Sequence, residues 1–130
     1  MVSADDMVAI STEQPTSENF ELIRETPHTR FPLVGGSVND VVGIVYVPSL
    51  MTHLDELERG ERTFADIAAP PMTVPPDLPV SDLIDRFQEE QQELAVVVDD
   101  GETVGLVTAT DAFEEITGEL EDPLDETEEP

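Results

Sequence analysis

The chain has 130 residues, with 31 Asp plus Glu against 5 Lys plus Arg, a formal net charge of −26 and no cysteine. That excludes a disulfide framework and thiolate metal centres, leaves no basic footprint for nucleic acid, and no apolar run is long enough to span a membrane or to read as a signal peptide. The apolar residues cluster into strand-like blocks, so the acids are expected as the solvated surface of a folded protein, one whose self-repulsion is screened at high ionic strength and which suits a salty cytoplasm.

In chain order, "QPTSENFELI" from Gln14 to Ile23 predicts a helix. A proline is followed by Ser17, placed to cap, and then by apolar residues at helical spacing. Glycines at Gly35 and Gly36 mark a turn. "DVVGIVYVPSLMTHL", Asp40 to Leu54, then reads as turn, strand and helix. The stretch from Leu57 to Pro79 is rich in proline and glycine and is the natural seam, with Thr63 placed to cap one helical turn in "FADIA". Beyond it the pattern recurs: a strand at 72–74, a helix at 81–90 with Ser81 as cap, strands at 94–98 and 104–108, and a helix at 111–119. The sequence Asp99-Asp100-Gly101 supplies the positive φ of a tight hairpin. "LAVVV" is apolar at every position, as expected of a strand covered on both faces.

The recurrence is an internal repeat. An offset of 62 residues aligns Gly43 with Gly105, Ile44 with Leu106 and Tyr46 with Thr108, and an offset of 64 aligns Ser17 with Ser81. Residues 1–62 and 63–122 are expected as the two copies, with 123–130 an acidic, disordered tail. One copy cannot bury both faces of so small a sheet, whereas two packed about a pseudo-twofold axis can, leaving a cleft between related halves.

"TPHTRFPLVGGSVNDVVGIVYVPSLM" brings Arg-Phe-Pro into a strand and then Gly-Ile-Val, and "GLVTATDAFEEITGELED" runs from Gly-Leu-Val-Thr into an acidic helix. Together these stretches resemble a pair of CBS (cystathionine-β-synthase) domains, and more closely the pair of the CorC/CNNM, hemolysin-C-like, family of magnesium and cobalt efflux proteins. The resemblance implies an α/β (α+β) fold of two β-α-β-β-α repeats. It implies a regulatory, non-enzymatic module that binds an adenosine nucleotide, AMP or ATP, and controls a divalent metal-ion transporter. It further implies a homodimer through the CBS helices and a cytoplasmic location as part of a membrane protein. Rival readings are a ligand-free dimerisation module, a nucleotide hydrolase, and direct Mg²⁺ sensing by acidic helices.

The same resemblance implies the site residues. Gly105, Thr108 and Asp111 match the Gly-x-x-Ser/Thr-x-x-Asp nucleotide motif, with Asp111 for the ribose diol and Thr108 for the phosphate or ribose edge. A strand-to-helix junction also suits phosphate, because free N–H groups and the positive helix end meet there. Spacing alone favours Asp111 as a cap of its own helix, and it is the resemblance that points to nucleotide contact. In the first copy Tyr46 and Ser49 replace that pair, so one competent site is expected, with Tyr46 lining the pocket. Arg30 is implied near the phosphates, or else in a salt bridge to a surface carboxylate, and Thr29 adds a hydroxyl. The charge of the chain predicts that ATP needs Mg²⁺ to bind well and AMP needs it less. The carboxylates of 114–122 read as a solvated face before a cation site. His28 and His53 are too isolated for a metal centre, and none is expected.

Overall fold

A computed structural model of the protein describes residues 1–115. The end of the predicted helix 111–119, most of the acidic stretch 114–122 and the tail 123–130 lie outside these residues. The elements run β1 (Val2–Ser3), a 3-10 turn (Ala4–Asp6), β2 (Ile10–Ser11), α1 (Thr16–Glu25), β3 (Arg30–Val34), β4 (Val41–Tyr46), α2 (Val47–Thr52), α3 (Leu54–Glu58) and α4 (Phe64–Ile67). The second half continues with β5 (Met72–Val74), α5 (Val80–Glu90), β6 (Leu94–Asp99) and β7 (Glu102–Thr108), and residues 109–115 are helical. The fold is α/β, as expected. No helix among the described residues is long and apolar enough to cross a membrane.

The repeat is visible in the strand register. One sheet has the order β2-β3-β4 and the other β1-β7-β6-β5. In each copy the first strand pairs in parallel with the second, and the second pairs antiparallel with the third. Arg30 lies opposite Tyr46, and Leu94 opposite Thr108. The register slips between Leu33 and Val34 in one hairpin and between Val97 and Val98 in the other, which are equivalent points. The two copies therefore share a bulge as well as a topology. Asp100 and Gly101, both at positive φ (56° and 81°), form the predicted tight turn between β6 and β7.

Strand alternation divides the apolar side chains into three layers. Phe31, Leu33 and Val45 face the helices of the first copy together with Leu50, Leu57 and Phe64. Ala95, Val97 and Val107 face those of the second copy with Leu83 and Phe87. The other faces of the sheets meet each other, with Ile44 from β4 packing on Leu94, Val96 and Leu106 from β6 and β7. Asn39 adds a polar tie between the copies, its Oδ1 accepting from the Thr103 N–H at 2.8 Å.

Two helix starts differ from expectation. Pro15 and Pro79 occupy the N-cap positions of α1 and α5, in extended conformation and without a side-chain cap. Ser17 and Ser81 lie one residue inside the first helical residue and cap nothing, because the proline has already turned the chain into the helix. Asn19 does the anchoring for α1. Almost fully buried, it accepts from the Ser11 N–H at 3.1 Å and donates to the Ser11 carbonyl at 2.8 Å, tying the helix to β2. Its equivalent in the second copy is the apolar Leu83.

The cap expected at Thr63 is present, as a full capping box with Asp66. The bonds that the Asp66 carboxylate accepts from Thr63 hold it below the ordinary carboxylate range. Its contribution is complete above that range and fades as pH falls through the lowered value. This box directs residues 68–69 onto β4, where Ile44 and Ala69 exchange backbone hydrogen bonds of 2.9 and 2.8 Å. The approach needs Gly43, since a Cβ there would stand 2.7 Å from the Ala68 Cβ and 3.0 Å from the Ala69 carbonyl oxygen. Gly43→Ala should cost about 1–3 kcal/mol, the range for overpacking, and lower the melting midpoint by several degrees. A thermal melt unchanged from the parent protein would show that the connection yields freely.

Candidate functional site

The apolar layer between the sheets ends where the strands end, and a cavity of about 280 Å³ opens there. Both copies and the N-terminal segment line it. The first copy contributes His28, Thr29, Arg30 and Pro32, and the second contributes Glu93, Leu94, Leu106, Thr108 and Thr110. Val2, Asp6, Met7 and Val8 form a third wall. Arg30 and Pro32 alternate with the core residues Phe31 and Leu33, and Leu106 and Thr108 flank the core residue Val107. The pleat thus carries both pairs to the face between the sheets.

Of the six residues singled out from sequence, Thr29, Arg30 and Thr108 converge on this cavity, whereas Gly105, Asp111 and Tyr46 are not part of its lining. Each of these three is nonetheless tied to it. The Thr108 Oγ1 accepts from the Asp111 N–H at 3.1 Å, so Thr108 caps the last helical segment and Asp111 is its third residue. The three-residue spacing is thereby accounted for: the cap is the hydroxyl and not the carboxylate, because β7 ends on Thr108 directly before the helix. The Thr108 hydroxyl keeps its own hydrogen to donate.

Tyr46 holds Arg30. The guanidinium carbon lies 4.3 Å from the centre of the Tyr46 ring, a cation–π stack. Tyr46 stands at the position equivalent to Thr108 and offers no cap bond to α2. The same guanidinium donates to Glu93 Oε2 at 2.5 Å, so the salt bridge that was the other reading of Arg30 is formed, at the cavity itself. Glu93 is equivalent to Thr29. The Val47 N–H donates to the Thr29 carbonyl at 2.8 Å, and the Ala109 N–H to that of Glu93 at 2.9 Å.

Gly105 keeps the third wall in place. β1 pairs antiparallel with β7, Val2 opposite Leu106 and Ser3 opposite Gly105. A Cβ on Gly105 would fall far inside contact distance of the Val2 carbonyl oxygen. No hydropathy signal in the sequence marks residues 2–8 as part of the site. Glu93 was equally hidden, inside the polar run Gln88–Glu93; only its alignment with Thr29 under the repeat could have found it.

The arrangement can sort the parts of an amphipathic anion. Met7, Val8, Leu94 and Leu106 offer an apolar surface, Thr29 and Thr108 offer hydroxyls, and Arg30 offers a fork of donors suited to phosphate or carboxylate. Among the described residues, no group of three or more His, Asp or Glu is placed to hold a metal ion. Gly105→Ala should release β1 and open the third wall. Hydrogen exchange at residues 2–8 should then rise at least tenfold while that of β6 changes little. Equal protection in both proteins would mean that β1 tolerates the added methyl.

The CBS domain family model matches residues 64–118. Over its whole length the chain is 36% identical to the UPF0053 protein YhdT of Bacillus subtilis, of which it covers 29%. It is 35% identical to the CBS domain of a bacterial CNNM/CorC family Mg²⁺ transporter solved in complex with ATP, with a TM-score of 0.81 over 91% of this chain and 84% of that one. A CBS-domain pair from Klebsiella pneumoniae with bound AMP is 26% identical, with a TM-score of 0.77 over 90% of this chain and 94% of that one. The chain spans less than half the length of the curated relatives it matches.

Proposed function

The chain belongs to the family of CBS-domain pairs carried by CNNM/CorC proteins, and from that premise we propose that it is a regulatory module that binds an adenosine nucleotide, AMP or ATP, and thereby controls a divalent metal-ion transporter. The observation that carries the reading is the convergence of Thr29, Arg30 and Thr108, from both copies, on one cavity between the sheets. Related pairs solved with ATP and with AMP support it.

In this reading the apolar wall takes the base, and the Thr29 and Thr108 hydroxyls take the ribose and the nearest phosphate oxygens. Arg30 takes the phosphate. Asp111, in the same helical turn as Thr110, reaches the ribose diol. Gly105 and Tyr46 act through what they hold, the N-terminal wall and the guanidinium. The module binds and releases its ligand without turning it over, and it is the cytoplasmic part of a membrane protein. Met51 on α2 and Phe113 in the last helical segment are equivalent positions, exposed at 58% and 64%, and they support a homodimer through these helices. Control follows if the two arrangements of that dimer differ in affinity for the nucleotide.

The acidic surface sets the conditions. Every added phosphate meets a chain of net charge −26, so ATP is expected to bind together with Mg²⁺ and AMP without it. AMP, or ATP with Mg²⁺, should raise the melting midpoint by an amount that grows with ligand concentration. No shift with any adenosine nucleotide would favour a ligand-free dimerisation module, and saturable stabilisation by Mg²⁺ alone would favour metal sensing. Asp111→Ala should weaken nucleotide binding by about 1.5–3 kcal/mol in calorimetry. Unchanged affinity in a variant that melts normally would remove Asp111 from the site. Melts in dilute and in molar potassium chloride test the salt adaptation, with higher stability expected in the latter.

A further inference from the structure

We infer that Glu93 is the residue that sets how many phosphates the site accepts, because it already holds the guanidinium that a phosphate would need. The inference rests on the nucleotide reading and adds a specificity determinant to it. Among the described residues, Arg30 is the only arginine lining the cavity, and its Nη2 donates to Glu93 Oε2. Tyr46 covers its ring-facing side. With one face stacked and one nitrogen engaged, the guanidinium keeps its other in-plane N–H groups for a phosphate, which then lies beside the Glu93 carboxylate.

The two partners differ in exposure. The Arg30 side chain is 29% exposed and that of Glu93 is 62% exposed. Glu93 can therefore swing into solvent at small cost, whereas Arg30 stays under Tyr46. The swing does not take Glu93 away from the rim, since its carbonyl is fixed by the Ala109 N–H. Its carboxylate then faces the incoming phosphates, and each further negative charge is repelled. Pseudo-symmetry sharpens the point, because the equivalent rim position of the first copy is the uncharged Thr29. The site thus favours ligands with few charges or with phosphates neutralised by a cation.

The test is calorimetry of adenosine, AMP and Mg²⁺-free ATP against the wild-type chain, Glu93→Gln and Asp6→Asn. Asp6 lies on the same cavity and carries the same charge, but its carboxylate accepts from the Ser3 hydroxyl. In dilute salt the ratio of ATP to AMP affinity should rise roughly tenfold in Glu93→Gln and no more than about twofold in Asp6→Asn, with adenosine unchanged. Molar potassium chloride should shrink the difference. ATP binding gained only in Glu93→Gln also supports the inference. An unchanged ratio in Glu93→Gln, or an equal rise in Asp6→Asn, overturns it while leaving the nucleotide reading intact. Failure of all three proteins to bind any of the three ligands overturns both.

Discussion

Neither three-stranded unit can cover both faces of its sheet. Helices α1 and α2 shield one face of the first unit, and the other would lie in water were it not for Ile44 meeting Leu94, Val96 and Leu106 across the pseudo-twofold axis. That single apolar layer fuses the copies, and the position of the site follows from it. The layer persists only as long as both sheets present aliphatic side chains. At the ends of β3 and β7 the inward positions pass to Arg30 and Thr108, the packing stops, and the cavity begins there. A cavity at that end of the molecule is a consequence of where the shared core stops.

Much of this was legible in the sequence. The repeat was readable because both copies keep the same alternation, the same strand glycine and the same strand-to-helix handover, and local pattern carries those features. The shared bulge was not readable, because it exists only in the pairing of two strands. Ser17 and Ser81 were misread as caps, since a serine before an acidic residue looks the same whether or not the preceding proline has taken the N-cap position. Thr108 and Asp111 were singled out together, but which of the two caps the helix depends on where β7 ends. Glu93 and the wall of residues 2–8 were missed for one reason: each acts on a residue more than sixty positions away, and hydropathy carries no such information.

Charge use is economical in a different sense. The chain has no lysine, and four of its five arginines are paired with glutamates in the described structure. Three of those pairs join residues within six positions on one surface, and only Arg30–Glu93 joins the two copies. A lysine could not do what Arg30 does. Only a planar guanidinium stacks on the Tyr46 ring while offering in-plane donors to a carboxylate or a phosphate. Tyr46 is thus more than a degenerate copy of Thr108. It stacks on the Arg30 guanidinium and mounts that cation at the cavity.

The leading segments of the two copies are exchanged. Ala69, which precedes β5, lies along β4 of the first copy at Gly43, and Val2–Ser3, which precede β2, lie along β7 of the second copy at Gly105. Each half is thus completed by the arm of the other, in a reciprocal arrangement with twofold logic. A half severed at the seam would lose the arm that lies along its last strand.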